Sequence, residues 1–187
     1  MANVLVIAEL RAGDLRKVAL EATTAARQLA AHAGGGAVHV LVAGAAGVGA
    51  KAEALAQHGA DQVLVLEHDG FAQYNAEALA ATAAQLLGSG TYRYGVFSAT
   101  AQGRDLSPRV AAKLGIGLAA DVTGFAVEGE TVVAQHPVNT GKVIATLALT
   151  GTPSLLSVRP SAFQPAVDAK PVSTQAIASA VDPSASR

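Results

Sequence analysis

Short runs of β-branched and aliphatic residues alternate, through the first two thirds of the chain, with longer stretches whose apolar positions recur at helical spacing. Val4 to Ala8 opens as a buried strand. Leu15, Val18, Ala19, Ala22, Ala26 and Leu29 then repeat with the period of an amphipathic helix, and Gly34-Gly-Gly36 ends it before a second strand at Val38 to Ala43. The scheme recurs. Gly44-Ala-Ala-Gly-Val-Gly49 leads into a short helix at Ala52 to Gln57, Gly59 closes it, and Gln62 to Leu66 is a third strand. Tyr74 to Leu87 is helical up to Gly88-Ser-Gly90, Gly95 to Ser98 is a fourth strand, and Asp105 to Leu114 carries Leu106, Val110 and Leu114 on one helical face. Strands alternating with helices in this way predict βαβ units and a parallel sheet with helices on both faces.

After Gly115 the period changes. Asp121 to Val127, Thr131 to His136 and Lys142 to Leu149 are β-rich and joined by Glu128-Gly-Glu130 and Asn139-Thr-Gly141, which predicts antiparallel hairpins extending one edge of the sheet. Leu155 to Val158 adds a further strand. The fold class is therefore α/β, a Rossmann-like, mostly parallel sheet with an antiparallel hairpin extension. From Pro160 the texture differs: four of the seven prolines and none of the nineteen glycines lie there, among Ala, Ser and Val. Residues 1–159 read as one domain and 160–187 as a semi-stiff linker or tail.

Composition narrows the partners. Alanine dominates the 51% of apolar residues and aromatics are 4%, so the core should rest on close helix–sheet packing. Thirteen basic and fourteen acidic residues give a formal charge of −1 with no run of either sign, so no nucleic-acid or anionic-membrane footprint is present. With no cysteine, disulfides, thiolate metal sites and a Cys nucleophile are excluded. The opening Met1-Ala-Asn-Val-Leu-Val-Ile-Ala-Glu9 lacks a basic n-region, and the longest uncharged stretches are broken by Gly, Thr, His or Pro, so the expectation is a cytoplasmic protein without membrane insertion.

The candidate chemistry is sparse. Gly44 to Gly49 lies between a strand and a helix, where backbone N–H groups cradle phosphates in other proteins. Its spacing is not G-x-G-x-x-G and no Walker lysine follows, so it reads as a tight structural turn. His32, His39, His58, His68 and His136 show no metal-ligand spacing, and no serine sits in a G-x-S-x-G elbow. Tyr92, Tyr94, Phe97 and Phe125 read as packing. No catalytic, cofactor-binding or metal residue is assigned. The densest polar cluster runs from Ser98 to Arg109 at the carboxyl end of the fourth strand, where open α/β sheets place ligands; Asp105 or Ser107 would cap its helix, with Pro108 in the first turn.

These last residues carry a resemblance. Gly103-Arg-Asp-Leu-Ser-Pro-Arg-Val-Ala-Ala-Lys-Leu-Gly115 and Ala120-Asp-Val-Thr123 resemble the amino-terminal domain of electron transfer flavoprotein alpha subunits. Val4 to Glu9, Val38 to Gly44, Gly59-Ala-Asp-Gln-Val-Leu-Val65, Asn139-Thr-Gly-Lys-Val-Ile-Ala145 and Leu156-Ser-Val-Arg-Pro160 agree in order, so residues 3–163 are covered.

The resemblance implies the adenine nucleotide alpha hydrolase-like form of the fold, and an electron carrier subunit rather than an enzyme. It implies a heterodimer in which alpha and beta subunits hold one FAD and move electrons from acyl-CoA and other dehydrogenases, as in fatty acid beta-oxidation, to a quinone oxidoreductase. In such an alpha subunit the FAD contacts lie in a second, carboxyl-terminal domain, so FAD is not expected on this chain alone, and AMP is expected on the beta partner. Arg104, Asp105 and Arg109 are then expected to serve packing or partner contact. The alternative is a stand-alone adenine-nucleotide-binding module that uses the turns at Ala8 to Asp14 and Ala99 to Asp105.

Overall fold

The computed structural model describes residues 2–185. β1 (Val4–Ile7) is buried throughout, with Val4 and Val6 in the core on one side and Leu5 and Ile7 in the core on the other. Such double burial is what a central parallel strand requires. A two-residue hairpin follows, β2 (Leu10–Arg11) and β3 (Asp14–Leu15), closed by Ala12 and Gly13 at φ 51° and 82°. Paired positive φ values mark the primed turns that match strand twist.

Next come α1 (Lys17–His32), β4 (Val38–Gly44), α2 (Ala52–Ala56), β5 (Gln62–Glu67), α3 (Ala76–Gly88), β6 (Tyr94–Ser98) and α4 (Ala101–Leu114). Then follow β7 (Leu118–Val122), β8 (Gly124–Glu128), β9 (Thr131–Val138), β10 (Val143–Leu149), β11 (Ser154–Val158) and β12 (Ser173–Ala176). The main sheet has seven strands in the order β12-β5-β4-β1-β6-β11-β7, every pair parallel. α1 and α2 pack on one face; α3 and α4 pack on the other. The α1 contribution is small side chains, Ala19, Ala22, Ala25 and Ala26, which lets helix and sheet approach closely.

Three local expectations change. α4 begins four residues before Asp105: Thr100 caps it, its Oγ1 accepting from the Gly103 amide at 3.1 Å, and Pro108 stands inside the helix. The β-rich stretch from Asp121 is two strands in two sheets. β7 ends at Val122 in the main sheet, and β8 starts a separate antiparallel sheet, β10-β9-β8, which packs over α1. The cause is an irregular register between β7 and β11, with Asp121 held at φ 54°, so the chain leaves the main sheet there.

The third change is the segment from 160. Through residue 185 the stretch read as a semi-stiff linker or tail lies as a strap along α1, the edge of β5 and α3. The Ser161 amide donates to Glu21 and the Ala166 amide to Thr24, both on α1. Asp168 and Lys170 join Arg27 and Asp61 in an ion cluster, β12 adds an edge strand to β5, and the Ala180 amide reaches Thr82 on α3.

Candidate functional site

In chain order the main sheet is built outward from β1 through β4 to β5, then resumes at β6 on the other side of β1. Crevices at the carboxyl edge beside such a reversal are where open parallel sheets hold ligands. A cleft of about 720 Å³ opens there, at the ends of β1 and β4. Ala8, Val48, Phe71 and Leu79 supply an apolar floor, while Arg11 and Lys51 supply charge at its side. Lys51 Nζ lies 3.0 Å from Asp14, whereas the Arg11 guanidinium has no partner among the described residues.

The glycine loop forms one wall of this cleft, and its amides are already engaged. Gly47 N and Gly49 N donate to the same oxygen, Oε1 of Glu67, at 3.0 and 3.2 Å. Gly47 stands at φ 89°, a left-handed conformation that turns the amides toward that oxygen. The loop is thus an anion nest filled by the protein's own carboxylate. At this loop the Gly47 and Gly49 amides, which the pyrophosphate of a dinucleotide such as FAD would need, already bond Glu67.

Beside the cleft, Glu9 is 5% exposed. It accepts from Arg16 and from the Thr100 hydroxyl, so it ties the end of β1 to the cap of α4. Across the cleft mouth, the Tyr74 hydroxyl donates to Asp105 at 2.8 Å. Burial and that carboxylate push the phenol above its ordinary range. Asp105 in turn pairs with Arg109 at 3.0 Å, and Arg109 with Glu77 at 2.6 Å. The Tyr74 and Arg109 bonds hold the Asp105 carboxyl below its ordinary value.

The Arg104, Asp105 and Arg109 cluster is thereby divided. Asp105 binds Tyr74 in the loop before α3 and Arg109 binds Glu77 in the first turn of α3, whereas Arg104 faces the other way, toward Asp121. Arg159 grips Asp121 through two bonds, Nε at 3.1 Å and Nη2 at 2.8 Å, and Arg104 Nη2 stands 3.6 Å from the same carboxylate. The Arg159 bonds lead in holding Asp121 below its ordinary value.

The histidines go to separate places. His39 Nδ1 lies 2.8 Å from the Tyr92 hydroxyl, where burial lowers its pKa. His58 meets the Ala166 carbonyl of the strap, His68 accepts from the Gly70 amide, and His32 stands edge-on to Phe125. His136 is on the inward face of β9, after Val132 and Ala134. Among the described residues, no group of three His, Cys, Asp or Glu is placed to hold a metal ion.

The family model for the electron transfer flavoprotein domain matches residues 4–184, which takes in all three sheets and the strap up to residue 184. The chain belongs to the electron transfer flavoprotein family. It is 34% identical over 160 residues to the alpha subunit of an electron transfer flavoprotein from Syntrophomonas wolfei, covering 86% of this chain and 49% of that protein. It is 37% identical over 165 residues to Protein FixB of Clostridium saccharobutylicum, covering 87% of this chain and 48% of that one. The alpha subunit from Bacillus subtilis is 32% identical over 162 residues, with 87% and 49% covered. The chain spans about half the length of the curated relatives it matches.

The family match thus extends past residue 163, where the resemblance legible in the sequence ended, and on to residue 184 of the strap. Two functional-looking residues were missed in the sequence, Asp121 and Arg159. Both stood inside resembling segments, Ala120-Asp-Val-Thr123 and Leu156-Ser-Val-Arg-Pro160, but nothing in the sequence alone joins positions 38 residues apart.

Proposed function

We propose that this chain is the scaffold and subunit-interface domain of an alpha-type electron transfer flavoprotein subunit. In this reading it packs with a beta subunit, and the FAD that carries the electrons is held by a second domain outside these 187 residues. The assembly takes electrons from acyl-CoA and other dehydrogenases and passes them to a quinone oxidoreductase, with AMP on the beta partner. The observation that carries the reading is the match of the family's domain model over 4–184, together with 32–34% identity to alpha subunits about twice as long. The Glu67-filled glycine loop supports it, since it leaves the dinucleotide phosphates to be bound elsewhere.

The chain's own contribution is positional. A stiff parallel sheet, closed along one edge by the strap, presents fixed surfaces to its neighbours at no ordering cost on assembly. The reading is tested by mixing the chain with a beta subunit and a separately produced flavin domain. A complex of all three that carries flavin absorbance is the expected result; a complex of the other two that excludes this chain would defeat it.

A second reading, a stand-alone adenine-nucleotide module, draws on the cleft itself and on the unpartnered Arg11. AMP or ATP retained by the purified chain would favour it.

A further inference from the structure

At the other half of the carboxyl edge, β6, β11 and β7 lie side by side and end together. Arg104 rises from the first turn of α4 just after β6, Arg159 follows β11, and Asp121 stands near the end of β7. Three features there go beyond packing. Asp121 is held at φ 54° where the register between β7 and β11 shifts, an irregularity of the kind that re-aims a side chain. Arg104 keeps 65% of its side chain exposed, and its guanidinium makes no hydrogen bond among the described residues. His136 Nδ1 is buried without a hydrogen-bond partner among those residues.

We propose that Arg104 and Arg159, set in place by Asp121, form a binding site for an oxyanion, the phosphate or carboxylate group of a small molecule. One carboxylate between two guanidinium groups leaves one positive charge uncompensated. Asp121 is the holder and not a ligand: it fixes Arg159 through Nε and Nη2, which leaves Nη1 of Arg159 and the whole Arg104 fork as free donors. Paired planar forks match the spacing of phosphate and carboxylate oxygens. The carboxyl edge of a parallel sheet is where such a ligand would sit. The inference stands on this geometry alone and does not depend on the partner reading above. It also differs in place from the large cleft, which lies on the β1–β4 side and is lined by none of these residues.

The test is a titration of the chain with inorganic phosphate, and in a second arm with acetate, at constant ionic strength. The arginine Nε–H and imidazole nitrogen signals are followed by NMR. Saturable shifts are expected at Arg104 and Arg159, weakened roughly tenfold or more in Arg104→Gln. Lys142→Gln, a charge change in the turn between β9 and β10, should leave them unaltered. Because Arg104 is exposed, its variant should keep the native melting midpoint; if it does not, Arg104→Lys, which keeps charge and loses the fork, carries the same comparison. Saturation by phosphate alone assigns a tetrahedral ligand and by acetate alone a carboxylate. Shifts that never saturate, or that survive both Arg104 variants with unchanged affinity, would overturn the site.

Discussion

Oε1 of Glu67 lies 3.0 Å from the amide nitrogen of Gly47, where a phosphate oxygen would lie in a nucleotide-binding glycine loop. The same oxygen also serves Gly49, so one carboxylate satisfies two donors and fixes the loop against the end of β5. Glu67→Ala should therefore destabilise the chain by ~1 kcal/mol, with Glu67→Gln costing less because its amide oxygen still accepts. Urea midpoints measure the difference. The order Ala worse than Gln is the expected outcome, and equal midpoints for both variants and the native chain would show that the loop needs no internal anion.

At the junction of β6 and α4, a Cβ on Gly103 would lie 1.6 Å from the Ser98 carbonyl oxygen. That neighbour is backbone and cannot swing away. Gly103→Ala should cost ~3 kcal/mol, the upper end of overpacking, and calorimetric melting should show it. Gly129→Ala, in an open turn at φ 62°, has no such contact and should lose less.

The strap is held through side-chain acceptors on the helices it crosses. Thr82 is 2% exposed, donates to the Ala78 carbonyl at 2.8 Å, and accepts from the Ala180 amide at 3.0 Å. Thr82→Val keeps the shape and removes the acceptor, so it should cost ~1 kcal/mol and release the end of the strap. Hydrogen exchange reads this locally: the Ala180 amide should be protected in the native chain and exchange faster in the variant, while the Ala166 amide on Thr24 keeps its protection.

Acid should loosen the base of the same strap. Burial raises the Asp61 carboxyl, but the Val38 amide, Arg27 and Lys170 outweigh it and hold the group below its ordinary value near 4. A carboxyl depressed in the folded state takes up its proton more readily when unfolded. Its stabilisation is thus fully present above the ordinary value and is lost as pH falls through the folded one. Stability measured by urea between about pH 6 and pH 2 should drop across the acid limb, and Asp61→Asn should lower the plateau and flatten that limb. An acid limb unchanged by the substitution would place the titrating groups elsewhere.

What the sequence made legible follows from where burial was two-sided. β1, β4, β5 and β11 read as strands because short runs rich in Val and Leu suit the interior of a parallel sheet, β6 from its Val96 and Phe97 after the Gly88-Ser-Gly90 break, and α1 read as a helix because its alanines recur on one face. The strap did not, since β12 is exposed at every position and its anchors, Thr24, Glu21 and Thr82, lie far away on helices. Hydropathy cannot register a segment held by its backbone amides. The break at Asp121 was hidden for a related reason: a positive φ at one residue redirects the chain without altering the alternation around it. Glu67 gave no signal at all, because the donors it serves are glycine amides.

In the function we propose, this domain positions a flavin that another domain holds. Calorimetric titration of FAD into the chain alone, repeated with a beta subunit present, tests that most directly. No saturable binding to the chain alone is the expected result, in keeping with the Gly47 and Gly49 amides already engaged by Glu67. Submicromolar binding by the chain alone would contradict it.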